Sequence, residues 1–214
     1  MTTVQYNGLR VAFVGAYGNG KTTLTTRLAQ ITRLPRTHGS AMRDPLGASG
    51  KSLEDCSEAE LLQLIVRRFT ERRVGEALLP QGFLSDGSVL HEWIYAKVRL
   101  ALGRFPDENA RPAGARRFGA SAAFEEVNDQ IGQLALSHAR QSYDLVVHLP
   151  AEVPLADAPR PISEAFRTIS DRLLLAELGR ADVPFHVIAG SPEERFQECC
   201  RLMASCALPE REGR

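Results

Sequence analysis

Apolar and polar positions follow two rhythms along this chain, short apolar runs and longer stripes at helical spacing. The run Val11-Ala-Phe-Val14 is apolar on both alternating faces, which predicts a buried strand of a parallel sheet over 9–14. Leu24, Leu28 and Ile31 recur at helical spacing, so a helix should run from about Gly20 and stop before Pro35, with a short strand near Leu34–His38. Ser57-Glu-Ala-Glu60 is a capping box. It opens a helix expected to bury Leu61, Leu62, Ile65, Val66 and Phe69 and to turn Arg67, Arg68, Arg72 and Arg73 to solvent.

Gly82-Phe-Leu-Ser-Asp86 is a short apolar run ending in a carboxylate, and Val89, Leu90, Trp93, Ile94, Val98 and Ala101 mark the next helix, with Trp93 in the core. Phe124, Val127, Ile131 and Leu134 predict another helix, and Tyr143-Asp-Leu-Val-Val-His-Leu149 a strand. Ser163 caps a helix through Phe166, Ile169, Leu173 and Leu174 that Gly179 should close. Phe185-His-Val-Ile-Ala189 is the last strand, and Ser191-Pro-Glu-Glu194 opens the final helix with a capping box and Pro at its first position. Alternating strands and amphipathic helices predict an α/β doubly wound parallel sheet of about five strands with helices on both faces. Residues 1–214 read as one domain, with a mobile insertion at about 104–120 and a breaker-rich lid at about 150–167.

Candidate chemistry enters where the first strand ends. Gly15-Ala-Tyr-Gly-Asn-Gly20-Lys21-Thr22 satisfies G-x-x-x-x-G-K-[ST] between a strand and a helix, the context that a phosphate-binding loop requires. Its glycines let the backbone reach an anion, and Lys21 supplies a mobile cation. The Thr22 hydroxyl is the expected Mg²⁺ ligand. Gly15, Ala16, Tyr17, Gly18, Asn19, Gly20, Lys21, Thr22 and Thr23 form the predicted nucleotide-binding set, with ATP and Mg²⁺ as the expected ligands. Lysine is rare: 23 of the 26 basic residues are Arg, so Lys at position 21 is a choice rather than background. Gly50-Lys51-Ser52 resembles the end of such a loop, but Pro45 stands where its first glycine belongs and no strand precedes it.

Charge and cysteine content narrow the class. Acidic and basic residues number 26 each, so there is no broad basic field, and nucleic acid is not expected as a partner. No apolar run is long enough to span a membrane and the amino terminus lacks a leader pattern, so a soluble, cytoplasmic protein is expected. Cys56, Cys199, Cys200 and Cys206 lack zinc spacing, and Cys199 and Cys200 continue with Met203 the apolar face begun by Phe196 as reduced thiols. The sequence leaves a homodimer open.

Three classes use such a loop: kinases, GTPase switches and ATPase motors or regulators. The guanine-reading Asn-Lys-x-Asp is absent, which argues against the switch. Four stretches in order decide the rest: the loop itself, Phe83-Leu-Ser-Asp86-Gly-Ser-Val-Leu-His-Glu-Trp-Ile-Tyr95-Ala, Tyr143–Pro150 leading into an Arg-containing lid, and Phe185–Arg195. Together they resemble the P-loop nucleoside and nucleotide kinase superfamily, particularly the AAA-like ATPase/kinase group related to ribosylnicotinamide kinases. That resemblance implies an ATP-dependent kinase acting on a small acceptor. It implies lid arginines at Arg160 and Arg167, acceptor-side residues at His38, Arg43 and Asp44, and adenine packing near Gly190-Ser191-Pro192. Where that family usually reads Asp-Arg-Ser, this chain has Asp86-Gly87-Ser88.

Asp86, at the end of a strand expected beside the loop strand, can hold the Mg²⁺ shell or take the acceptor proton, and could equally cap a helix. Glu92 and Tyr95, on the helix that follows, are candidates for substrate contact, and His148 and His186 read as core or rim histidines. The expected activity is γ-phosphoryl transfer to a nucleoside or nucleotide. The alternatives are an ATPase regulating a partner protein, or a kinase for a non-nucleoside metabolite.

Overall fold

A computed structural model describes residues 6, 8–38, 56–102, 121–152 and 162–207. Five strands, β1 (Arg10–Val14), β2 (Arg36–His38), β3 (Phe83–Asp86), β4 (Leu145–His148) and β5 (His186–Val187), form one parallel sheet in the order β2-β3-β1-β4-β5. Six helices accompany them: α1 (Lys21–Thr32), α2 (Glu58–Ala77), α3 (Leu90–Leu102), α4 (Ala122–Ser142), α5 (Glu164–Arg180) and α6 (Pro192–Ala207). The α/β parallel architecture expected from the sequence is the one found.

Strand alternation explains the two cores. Val11, Phe13, Leu84, Leu145 and Val147 point to the face covered by α1 and α6, where Leu28, Cys199 and Met203 are buried. Ala12, Val14, Phe83 and Val146 point to the opposite face, covered by α3, α4 and α5. With both faces covered, the central strands are mainly apolar, and their buried polar residues Ser85 and His148 find hydrogen-bond partners inside. The register sets Phe13 beside Asp86, Asp86 beside His38 and Val14 beside His148. The carboxyl ends of four strands therefore meet where β1 enters the glycine loop, the place where open parallel sheets bind ligands.

Several local expectations need correction. Ile31 is 53% exposed, Val66 48%, Val127 40% and Leu134 59%, so the apolar stripes assigned to α1, α2 and α4 are partly out of phase. On α2 the buried side is apolar only at Leu64 and Ile65 and turns polar beyond them: Arg68 and Glu76 are buried and Arg72 is half-buried, at i, i+4 and i+8. Their side chains find partners inside, which makes a polar stripe tolerable there. On α4 the packed face is set by small residues. A Cβ on Gly132 would fall into the buried Trp93 ring, so α4 buries Gly132, Ala135 and Ala139 together with Phe124 and Leu136, and leaves Val127 and Leu134 exposed. Gly179 does not close α5, which continues to Arg180. The Ser57, Ser163 and Ser191 caps all form, at 3.3, 3.1 and 3.3 Å. All four cysteines are free; Cys199 is buried, Cys200 half-buried, and burial pushes the Cys199 thiol up to about 12. No helix among the described residues is long and apolar enough to cross a membrane.

Candidate functional site

The glycine loop is built by backbone geometry. Gly15 has φ 128°, and a Cβ there would collide with the Asn19 amide and the Leu149 carbonyl, which hydrogen-bond to each other. Gly20, at φ 87°, is the N-cap of α1 and brings no capping side chain. The first turn of α1 also holds no acidic residue. In contrast α2, α4 and α5 are capped by Ser57, Ser121 and Ser163, with Glu58, Glu125 and Glu164 in their first turns. The amino end of α1 thus keeps its orphan N–H groups and positive dipole for something outside the helix.

Lys21 lies over this end. Its Nζ donates to the carbonyls of Gly15 (2.8 Å) and Ala16 (2.7 Å) and to Asn19 Oδ1 (2.9 Å). Burial lowers its pKa to about 8; Asp86 and Asp171 pull upward and Arg167 and Arg72 push further down. Thr22 and Thr23 stand exposed in the first turn.

Asp86 ends β3, level with Phe13 on the loop strand. Its side chain is only 8% exposed, and Oδ2 pairs with Arg36 Nη2 at 3.0 Å. Arg36 also donates from Nε to Thr25 Oγ1 at 3.1 Å, bridging α1 to β3. Asp86 is not a helix cap: Ser88 Oγ accepts from the Leu90 N–H at 3.3 Å. Thr22 and Asp86 suit Mg²⁺, which takes one or two protein oxygens and completes its shell with phosphate and water. Among the described residues no group of three or more His, Cys, Asp or Glu side chains is placed to hold a metal ion by itself.

His91 packs beneath the loop. Its Nδ1 accepts from Ser88 N–H at 3.0 Å, leaving Nε2–H to donate to the Gly15 carbonyl at 3.0 Å. Burial, aided by Lys21 and Arg72, drops its pKa to about 3, so it is a neutral strut. Glu92, expected to contact substrate, pairs with the buried Arg68 at 3.0 Å, and Tyr95 is buried against Phe166 and His91. Tyr95 packs beside the loop as part of the wall. Burial raises its phenol above the usual range.

Helix α5 grips the loop from the other side. Arg167 is fully buried; Nε donates to the Tyr17 carbonyl at 2.8 Å and Nη1 pairs with Glu164 at 2.9 Å. Asp171 Oδ1 accepts from the Ala16 N–H and from His148 Nε2, each at 3.0 Å. Burial alone would raise the Asp171 carboxyl, yet His148, the Ala16 amide and Lys21 hold it below its usual value. His148 is therefore a core histidine as expected, while His186 is exposed on β5.

Beyond the loop lies a cavity of about 260 Å³ lined by Leu24, Arg27, Pro150, Pro192 and Arg195. Arg195 Nη1 donates to the Asn19 carbonyl at 2.9 Å, and Nη2 pairs with Glu152 at 2.6 Å. Glu152 in turn accepts from the Gly190 N–H at 2.9 Å. The cavity is contiguous with the amino end of α1 through Gly18, Asn19 and Gly20.

The structure thus gathers Lys21, Thr22, Asp86 and Arg167 around one loop. Arg43, Asp44 and Arg160, with residues 153–161 of the lid and the whole of 104–120, lie outside the described residues; of His38 the backbone position beside Asp86 is defined. Sequence reasoning missed Arg36, Arg72, Asp171 and Arg195. The i, i+4 spacing of Arg167 and Asp171 on one helix face was a readable signal for Asp171. Nothing local marks Arg36, which acts across the sheet.

A parallel sheet in this order, whose central strand runs into a glycine loop and an uncapped helix, defines a P-loop α/β protein. The chain belongs to the AAA domain family, whose sequence profile matches residues 10–195. Comparison with curated proteins finds no match to the sequence. Among solved structures, deoxyadenosine kinase from M. mycoides with bound dATP superposes with a TM-score of 0.63 at 12% identity, over 91% of this chain and 99% of that one. NadR in complex with NR gives 0.63 at 18% identity, over 97% of this chain and 54% of that one. Thymidylate kinase from Candida albicans gives 0.60 at 14% identity, over 93% and 92%. The fold is that of the P-loop nucleoside and nucleotide kinases.

Proposed function

We propose that this protein is a Mg²⁺- and ATP-dependent kinase that passes the γ-phosphoryl group to a small hydroxyl or phosphate acceptor, a nucleoside or nucleotide. The observation that carries this reading is the amino end of α1, left without side-chain cap or carboxylate while Lys21 lies over it. A triphosphate supplies the negative oxygens that this end lacks. Superposable proteins bind dATP in one case and AMP-PNP in another, which supports a nucleotide here.

In this reading Lys21 leaves the loop carbonyls for the β- and γ-phosphates, and Thr22 and Asp86 hold the metal shell that screens their charge. The acceptor oxygen bonds to the γ-phosphorus as the bond to the ADP oxygen breaks, and the acceptor proton passes to Asp86 or to water. Arg167, at the first turn of α5, stabilises the charge on the transferring group. The base lies in the cavity bounded by Leu24 and Pro192.

The test is ADP release from Mg·ATP by the purified protein, alone and with nucleosides, nucleotides and hydroxylated metabolites. Stimulation by one compound, with its phosphorylated product seen by mass, is the expected result, and Lys21→Ala should abolish it. Steady ADP release that no compound stimulates would replace this reading with an acceptor-independent ATPase.

A further inference from the structure

The arginines around the loop differ in one respect. Arg36, Arg68, Arg167 and Arg195 each pair with a carboxylate, Asp86, Glu92, Glu164 and Glu152, at 3.0, 3.0, 2.9 and 2.6 Å. Half-buried Arg72 does not. Its Nη1 donates to Ser85 Oγ at 3.0 Å and its Nη2 to the Asp86 carbonyl at 3.4 Å, both neutral oxygens, and no carboxylate pairs with it among the described residues. Glu76 lies on the far side of Ser85, whose hydroxyl donates to it at 2.7 Å, and is already engaged by His138 at 2.8 Å and Tyr143 at 3.1 Å. A guanidinium withdrawn from water without a direct counter-ion is poorly compensated unless an anion joins it.

Its position says where that anion lies. Arg72 Nη2 is 3.0 Å from the place a Cβ on Gly87 would occupy, so the guanidinium lies directly along the Asp86–Gly87 turn. That turn is fastened to the loop strand, since Gly87 N–H donates to the Phe13 carbonyl at 3.0 Å. The charge is felt across the loop: Arg72 lowers the pKa of both Lys21 and His91. The 3.4 Å bond to the Asp86 carbonyl is long enough to yield, while the Ser85 bond, braced by Glu76 and by Thr37 at 3.0 Å, holds the fork in place. A planar fork with one anchored arm suits phosphoryl oxygens.

We propose that Arg72 is a phosphate-binding residue of this site, whose guanidinium, anchored on Ser85 and lying beside Gly87, takes oxygens of a phosphoryl group facing Lys21. It rests on the triphosphate reading of the loop. The phosphoryl group has two possible sources, the terminal phosphate of the donor or a phosphate on the acceptor.

Calorimetric binding of Mg·ADP, of Mg·AMP-PNP, and of inorganic phosphate to the AMP-PNP-loaded protein separates them, for wild type, Arg72→Gln and Arg72→Lys. Contact with the donor's terminal phosphate predicts that Arg72→Gln weakens AMP-PNP tenfold or more, with ADP within twofold of wild type. Contact with the acceptor's phosphate leaves both nucleotides unchanged and weakens inorganic phosphate tenfold or more. Arg72→Lys should fall between wild type and Gln, having the charge without the fork. Should Arg72→Gln fail to fold, Arg72→Met, which keeps an unbranched stem without charge or fork, must give the same selective loss. A folded Arg72→Gln or Arg72→Met that binds all three as wild type overturns the assignment of Arg72. Wild-type protein that binds neither nucleotide removes the triphosphate reading, and this assignment with it.

Discussion

The Asp171 carboxylate accepts the backbone N–H of Ala16 at 3.0 Å, across 155 positions of sequence. The same oxygen takes His148 Nε2, so one acid on α5 joins β4 to the phosphate-binding loop. Asp171→Ala would leave a buried N–H and a buried imidazole without an acceptor, each costing about 1–3 kcal/mol. A loss of roughly 2–4 kcal/mol should appear in urea unfolding. A change below about 0.5 kcal/mol would show that water or another group replaces the carboxylate.

Arg167 touches the loop at the Tyr17 carbonyl and brings a fully buried charge to within reach of Lys21. If it serves the transferring group, its contact strengthens in the transition state. Arg167→Ala should then lower kcat about 100-fold while changing KM for ATP less than threefold. An effect confined to KM would reduce Arg167 to ground-state binding.

Asp86→Asn keeps the shape of the site and removes the charge that Arg36 faces at 3.0 Å. The Mg²⁺ concentration giving half-maximal rate should rise about tenfold, with kcat falling by a similar factor or more. Magnesium titration at saturating ATP checks this, and unaltered kinetics would leave Asp86 as the partner of Arg36 only.

Lys21 has a distinctive pH signature. Its pKa near 8 in the free protein lies below the unfolded value of 10.5, so between those limits the unfolded chain binds more protons and this group makes stability rise with pH. A bound triphosphate would return the ammonium to its ordinary range. Nucleotide binding at pH 8.5 should then take up roughly 0.7 proton, and almost none at pH 6.5. Calorimetry in buffers of different ionisation enthalpy measures the uptake, which Lys21→Ala should erase.

Two glycines within helices should respond oppositely. Gly132→Ala places a methyl in the Trp93 ring and should cost about 1–3 kcal/mol. Gly75→Ala meets nothing within 4 Å on α2 and should stabilise by roughly 0.5–1 kcal/mol. Urea midpoints of the two variants test both signs.

The readable parts of this protein are those whose chemistry is local. Lys21, Thr22 and the glycines are contiguous, and their backbone task needs no distant partner. Asp86 was legible because the end of an apolar strand is a defined place in a parallel sheet, and β3 indeed lies beside β1. The capping boxes at Ser57 and Ser191 are local too, and both form. Arg68 and Arg72 were misread as solvated because charge predicts exposure only when no partner is available inside. Their partners, Glu92 and Ser85, come from other elements.

The sequence by itself determined the phosphate loop, the alternation of strands and helices and hence the α/β class, since each depends on spacing and on backbone demands within a few residues. Only the tertiary structure decided the strand order, the Arg36–Asp86 pair, the grip of Arg167 and Asp171 on the loop, and the place of Arg72 beside Gly87. These are contacts between segments up to 155 positions apart, and an ion pair or hydrogen bond depends on distance in space, which sequence separation does not encode.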